Sequence, residues 1–195
     1  MAERRSPLSE CLKPGLHGAA GPAGPGIEIR ELRLLTVIQV AAFDAERAAP
    51  AIGAALGVAA LPGRNGVATA GDSAVLWTGP GRWIVVEPES RDLPSVLAQH
   101  CPGDVAAITD LSHARTALRV EGPQVRVLLA KLCTLDLDLA AFPPGTCAQT
   151  QFGQIGVLLY CRAEHGFDLF VLRGFAVSAW ETVTDAALEF GCRVI

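Results

Sequence analysis

The sequence predicts an α+β fold built of two intertwined, ferredoxin-like βαβββα halves with mainly antiparallel sheets. Three observations lead there. Half of the 195 residues are hydrophobic, enough for one sizeable core. Strand-period and helix-period stretches follow in the order strand, helix, three strands, helix, and that order then repeats. The repeats share local detail: Gly81-Arg82-Trp83-Ile84-Val85-Val86 and Gly166-Phe167-Asp168-Leu169-Phe170-Val171 each read as a turn followed by an apolar strand. The expected organisation is a tail over 1–26, a first half over 27–110 and a second half over 111–195, the halves together forming one compact unit.

The elements can be justified in order. Residues 1–26 alternate glycines with Pro14, Pro22 and Pro25, a composition that does not build a packed core. They read as a flexible tail or an extended partner-binding arm, with Leu8 and Leu12 as apolar anchors. Ile27 to Leu32 alternates with period two, and Thr36 to Val40 reads as a second strand or its continuation. Asp44 has the character of a helix N-cap, with Ala48, Ile52 and Leu56 on one face and Gly57 closing the helix. Val67 to Ala70, Ser73 to Trp77 and Arg82 to Glu87 are short strands parted by Gly71-Asp72 and Gly79-Pro80-Gly81. Asp92 to His100 is a helix with Pro94 in its first turn, and Val105 to Asp110 is a strand.

The second half repeats the pattern. Arg115 to Glu121 alternates, Gly122-Pro123 opens a helix reaching about Leu132, and Leu135 to Phe142 is irregular before the Pro143-Pro144-Gly145 turn. Cys147 to Phe152, Ile155 to Cys161 and Phe167 to Leu172 are strands. Phe175 to Phe190 has the spacing of a long amphipathic helix, with Val177, Trp180, Val183, Ala187 and Leu188 on one side and Gly191 as its end.

Composition removes several classes of function. Charged residues make up 18% of the chain and mean hydropathy is +0.35, apolar for a soluble domain. A spanning helix needs about 20 consecutive apolar residues, and every apolar run here is interrupted sooner. The surplus apolar surface therefore points to partner subunits. Net charge is −4, with no basic stripe interleaved with aromatics, which argues against nucleic acid. Arg4 and Arg5 are followed by Pro7, Glu10, Lys13 and Pro14 rather than an apolar run, so no secretory signal is expected. The six cysteines form no CxxC pair and lie near no histidine at ligand spacing. Reduced, buried thiols in a cytoplasmic protein are the expectation.

The search for chemistry returns no constellation. There is no glycine fingerprint after a strand, no P-loop lysine behind Gly79-Pro80-Gly81, and no GxSxG elbow. Asp110-Leu111-Ser112-His113 holds the three residue types of a hydrolytic triad, but a triad needs convergent geometry rather than adjacency. A turn role is expected for Ser112 and a polar anchor for His113. Asp136 and Asp138 read as a solvated loop, and Trp77, Trp83 and Trp180 as packing residues. Phe167 and Phe170 should lie on different faces, Phe170 sharing its face with Asp168. No residue of the chain is expected to be catalytic, cofactor-binding or metal-binding.

The second half carries a recognisable pattern. It runs Asp110-Leu111-Ser112-His113-Ala114-Arg115-Thr116, Leu118-Arg119-Val120-Glu121-Gly122-Pro123, Leu128-Leu129-Ala130-Lys131-Leu132-Cys133, and Phe142-Pro143-Pro144-Gly145-Thr146-Cys147-Ala148-Gln149-Thr150. Phe175, Trp180-Glu181 and Glu189-Phe190-Gly191 close it, and Arg5-Ser6-Pro7-Leu8 adds to it. Together these resemble the gamma-subunit family of heterotetrameric sarcosine oxidases over about residues 74–195, a shortened relative of the folate-binding fold of the glycine-cleavage aminomethyltransferases. In those transferases an acidic residue, on a strand that starts near a Gly-Gly turn, engages folate. The matching stretch Gly153-Gln154-Ile155-Gly156-Val157-Leu158 has no aspartate or glutamate, which favours a structural role.

The resemblance implies a complex that demethylates sarcosine oxidatively to glycine, makes hydrogen peroxide, and passes the one-carbon unit to tetrahydrofolate. It implies alpha, beta and delta subunits as partners. FAD and FMN would sit on beta, NAD and the folate site on alpha, and zinc on delta, with no cofactor on this chain. A stand-alone folate-binding one-carbon transfer protein, and the same subunit of an oxidase for another N-methyl amine, remain alternatives. The expected contact regions are the 1–26 tail, the Leu135 to Pro144 loop and Trp180.

Overall fold

The computed structural model describes residues 5–19, 21–22 and 24–195; positions 1–4, 20 and 23, all within the expected tail, lie outside the described residues. The described residues divide by their contacts into two units, one of residues 34–114 with 145–148, the other of residues 5–33, 115–144 and 149–195. The chain changes unit at 33/34, 114/115, 144/145 and 148/149. Each unit has its own mixed sheet-and-helix layer, as the α+β reading requires.

The 34–114 unit is a five-stranded antiparallel sheet with two helices. Its strands are β3 (Leu35–Ala42), β4 (Val67–Ala70), β5 (Ser73–Gly79), β6 (Arg82–Pro88) and β7 (Ala106–Asp110), in the order β4-β5-β6-β3-β7. Helix α1 (Ala45–Leu56) starts where the Asp44 carboxylate accepts the Arg47 N–H at 3.1 Å. It ends at Gly57, whose φ of 71° is the left-handed cap that glycine adopts without a Cβ penalty. Helix α2 (Leu93–His100) is capped in the same way by Asp92 on Ser95. Ile38, Val40, Ile52, Val85, Leu93 and Leu97 are fully or almost fully buried together and form the centre of this unit's core. At the sheet's end Glu87, 3% exposed, accepts bonds from Ser73 at 2.7 Å and from Arg91 at 2.8 Å twice.

The other unit is a seven-stranded sheet. It contains β1 (Gly15–His17), β2 (Ile27–Leu32), β8 (Arg115–Glu121), β9 (Thr146–Phe152), β10 (Ile155–Ala163), β11 (Gly166–Leu172) and β12 (Cys192–Val194), ordered β1-β12-β2-β8-β11-β10-β9. All its pairings that are resolved residue by residue are antiparallel except β12 with β2. Helices α3 (Val125–Leu132) and α4 (Ala176–Ala187) complete it.

The duplication is plain in the topology. From β3, one unit runs strand, helix, three strands, helix, strand; from β8, the other does the same. Their sheet orders, β4-β5-β6-β3-β7 and β9-β10-β11-β8-(β2)-β12-(β1), correspond strand for strand once β2 is recognised as an insertion and β1 as an added edge strand. Even the irregularities match. The β5–β6 hairpin slips register between Trp77 and Gly79, and the β10–β11 hairpin slips between Cys161 and Ala163. A bulge re-aims the extra residue and tightens the local twist, so its recurrence marks a shared architectural device.

Three details depart from the sequence reading. Residues 27–32 and 35–42 are separate strands in different sheets, parted by Leu34 at a φ of 56°. The helix expected over 175–190 is α-helical only over Ala176–Ala187, with 3₁₀ turns at Arg173–Phe175 and Leu188–Phe190. Strands β1 and β12 are three residues each, too short for periodicity to reveal, and exist because each finds a partner strand. At the β2–β8 boundary Gly122 has a φ of 129°, and a Cβ there would lie 2.3 Å from the Gly26 carbonyl oxygen. Only glycine permits that approach. No helix among the described residues is long and apolar enough to cross a membrane.

Candidate subunit-contact site

The seven-stranded sheet presents one apolar row set and one polar row set, because strand side chains alternate. Phe167 and Leu169 point one way while Asp168 and Phe170 point the other, as their spacing predicts, and all four are buried. Cross-strand register then aligns Tyr160, Asp168, Arg119 and Arg30 on β10, β11, β8 and β2. Arg119 grips Asp168 through two charge-assisted bonds, at 2.7 and 2.9 Å, with side chains 19% and 6% exposed. That pairing holds the Arg119 guanidinium above its usual range, against the opposing effect of burial. Burial foremost, then the Asp168 charge, pushes the Tyr160 phenol up. Arg162, delivered by the bulge, sits 3.8 Å from Asp168 and 4.0 Å from Glu121, and Arg30 bonds Glu121 at 2.9 Å. These charges pair with one another, although the Arg30 Nε is buried without a hydrogen-bond partner.

The strand expected to present a folate-engaging acid shows none. Gly153 turns the β9–β10 hairpin at a φ of 60°, Gln154 and Gly156 face solvent, and Ile155, Val157 and Leu158 are buried. The Asp110-Leu111-Ser112-His113 run is a turn. Asp110 accepts the Ser112 N–H at 2.8 Å and its hydroxyl, while the Ser112 oxygen accepts the Val37 N–H at 3.0 Å. Ser112 is thereby committed to joining β7 to β3, and His113 stands exposed. Asp136 and Asp138 each accept a backbone N–H two residues on, as loop-forming carboxylates do. No group of three metal-ligating side chains occurs among the described residues. All six cysteines are free thiols. Burial pushes Cys147 and Cys192 up to about 11.

The regions expected to make contacts are each accounted for. In the Leu135 to Pro144 loop, Leu137 and Phe142 are buried, and Leu139 is exposed. The loop is pinned by Arg126, whose guanidinium donates to the Leu137 and Phe142 carbonyls and lies 5.1 Å over the Phe167 ring. That hub carries no motif and was missed by sequence; its only signal is an arginine in the first turn of a mostly apolar helix. Trp83 donates to the Pro62 carbonyl at 3.1 Å. Trp180 is 4% exposed and packs inward from α4.

The tail segment lies along its own unit. Leu8 is fully buried, the Ser6 hydroxyl meets the Glu31 carboxylate at 2.6 and 2.7 Å, and Arg173 donates to the Arg5 carbonyl at 2.6 Å. Between this segment, α4 and β12 lies a groove of about 470 Å³ with Trp180, Leu188, Cys192 and Val194 in its lining and carboxylates from Glu10, Glu181 and Asp185. Next to α4, Leu172 and Phe175 are 47% and 48% exposed.

Comparison with known proteins agrees with this geometry. The family described as the GCVT N-terminal domain matches residues 68–195. The sarcosine oxidase gamma subunit of Arthrobacter sp is 31% identical over 189 residues, covering 96% of this chain and 91% of that protein. The sarcosine oxidase gamma subunit of Corynebacterium sp. strain P-1 is 29% identical with the same coverage. Among solved structures, a chain of the heterotetrameric sarcosine oxidase from Corynebacterium sp. U-96, in complex with pyrrole 2-carboxylate, superposes with a TM-score of 0.84 at 28% identity, covering 96% of both chains. The glycine cleavage system aminomethyltransferase T of Bartonella henselae shares the fold, with a TM-score of 0.64 at 16% identity over 90% of this chain and 55% of that one. Matched at 31% identity over 96% of its length, the chain belongs to the sarcosine oxidase gamma-subunit family, and from residue 68 onward to that of the GCVT N-terminal domain.

Proposed function

We propose that this chain is the non-catalytic gamma subunit of a heterotetrameric sarcosine oxidase. The assembled enzyme oxidises sarcosine to glycine, reduces oxygen to hydrogen peroxide, and transfers the one-carbon unit to tetrahydrofolate. Alpha, beta and delta subunits are its partners; FAD and FMN belong to beta, NAD and folate to alpha, and zinc to delta. The complex is cytoplasmic, a reading supported by six free thiols. The single observation that carries the proposal is the full-length match to gamma subunits in sequence and in fold. The lack of a carboxylate over Gly153–Leu158, and the mutual pairing of the buried charges on the large sheet, support a scaffolding role over folate chemistry.

The test is co-expression of the tagged chain with its neighbouring genes. The proposal expects a flavin-coloured complex that makes peroxide from sarcosine and fails to assemble when this chain is omitted. A colourless monomer that is soluble alone and binds tetrahydrofolate would overturn it.

A further inference from the structure

Helix α4 carries no basic residue. Its outward stripe is Val177, Glu181, Asp185 and Leu188, a spacing that keeps four side chains on one face. All four are exposed, Val177 and Leu188 at 41% each. Glu181 and Asp185 are like charges four apart, an arrangement that weakens a helix. Neither is in an ion pair among the described residues. Across the groove Glu10 adds a third carboxylate, paired among the described residues with the exposed Arg5, and Lys13 and His17 are the basic side chains in the lining. The Cys11 thiol beside them is raised by burial first and then by Glu181, Glu31 and Glu10, which reports the same negative surroundings.

We infer that this groove receives a segment of a partner subunit whose apolar side packs on Leu188, beside the largely covered Trp180, and whose basic side chains meet Glu181 and Asp185. The inference rests on the gamma-subunit reading above and adds where the partner lies and what it must carry. Charge complementarity selects the occupant. A second copy of the chain, itself of net charge −4, would set this acidic face against itself in a two-fold contact. An anionic lipid surface is repelled for the same reason. A basic, partly apolar segment satisfies both the floor and the rim and removes the helix's internal repulsion.

The experiment uses the co-expressed complex. Glu181→Gln/Asp185→Gln is compared with the control Glu46→Gln/Asp72→Asn, which neutralises two exposed carboxylates of the other unit. The isolated groove variant should unfold at slightly higher urea than wild type, because the repulsion is relieved. In the complex it should bind its partners about tenfold more weakly, and that deficit should shrink as salt is raised. A photo-crosslinker at Thr184, also in the groove lining, should join a partner-subunit peptide bearing lysine or arginine. Alkylation of Cys11 should slow in the complex. Retention of the groove variant equal to that of the control, or crosslinks only between copies of this chain, would overturn the inference while leaving the gamma-subunit reading intact. Failure of the wild-type chain to assemble at all would instead sink that reading, and the inference with it.

Discussion

Asp168→Asn should be among the more damaging single changes in the chain. The carboxylate is 6% exposed and holds Arg119, 19% exposed, through two bonds of 2.7 and 2.9 Å. Removing one partner of a buried pair costs about 3–5 kcal/mol, because the other charge is left desolvated and alone. Arg119 is not wholly buried and still feels Glu121, so the expected loss is nearer about 2–3 kcal/mol. With a urea dependence of about 2–3 kcal/mol per molar for a chain of this size, the unfolding midpoint should fall by about 1 M. The assay is equilibrium urea unfolding of wild type, Asp168→Asn, Arg119→Met and the double variant Arg119→Met/Asp168→Leu. If desolvated charge is the cause, the double variant should recover to within about 1 kcal/mol of wild type. A loss below about 0.5 kcal/mol for Asp168→Asn would mean that solvent screens the pair as it does a surface bridge. A double variant as unstable as the single would mean that shape, not orphaned charge, sets the cost.

Other positions give independent tests. Burial alone would raise the Glu87 carboxyl, but bonds from Arg91 and Ser73 outweigh it and hold it below the usual glutamate range. Its contribution to stability is therefore complete above the ordinary glutamate value and lost as pH falls through the lower folded value, so Glu87→Gln should flatten the rise of stability with pH in the acid range. Among the thiols, only Cys11 is not buried, so a disulfide reagent at pH 8 should label it promptly and the others only on unfolding. Fast native labelling of Cys147 or Cys192, whose thiols burial pushes up to about 11, would contradict the packing. Pro50 sits exposed in the interior of α1, where it removes a helix bond, and Pro50→Ala should stabilise by about 1–3 kcal/mol in the same urea assay. Gly122→Ala places a methyl against the Gly26 carbonyl and should cost at least about 2 kcal/mol; a neutral result would mean that β2 can shift without loss.

Most of the fold was legible because its elements obey local rules. Asp44 and Asp92 cap helices, Gly57 and Gly191 end them, and the hairpins at Gly71, Gly81 and Gly153 carry their own turn residues. What was not legible is what depends on distant partners. The pairing of Gly15–His17 with Cys192–Val194 joins segments about as far apart in sequence as the chain allows, and neither segment has a pattern of its own. The burial of Leu8 and the grip of Ser6 on Glu31 likewise belong to tertiary structure, so a glycine-rich composition read as a tail hid a segment that lies along the large sheet's unit. Asp168 gave a signal that could have been taken further. A lone charge within Phe167–Leu172 requires a buried partner, and alternation on the neighbouring strand leaves Arg119 as one candidate for it.

The two halves also treat their buried acids alike. Equivalent strands β6 and β11 each bury one acid, Glu87 and Asp168, on sheets that correspond strand for strand. Each acid is answered within the chain, by Arg91 and Ser73 in one unit and by Arg119 in the other. A carboxylate so answered is unavailable to a ligand, since displacing its arginine would leave two buried charges unpaired. Acids that remain unanswered among the described residues include Glu181 and Asp185, and they lie on an outward helix face beside an apolar groove. Glu181 and Asp185 thus sit where another protein can reach them, whereas the Glu87 and Asp168 carboxylates are answered within their own sheets.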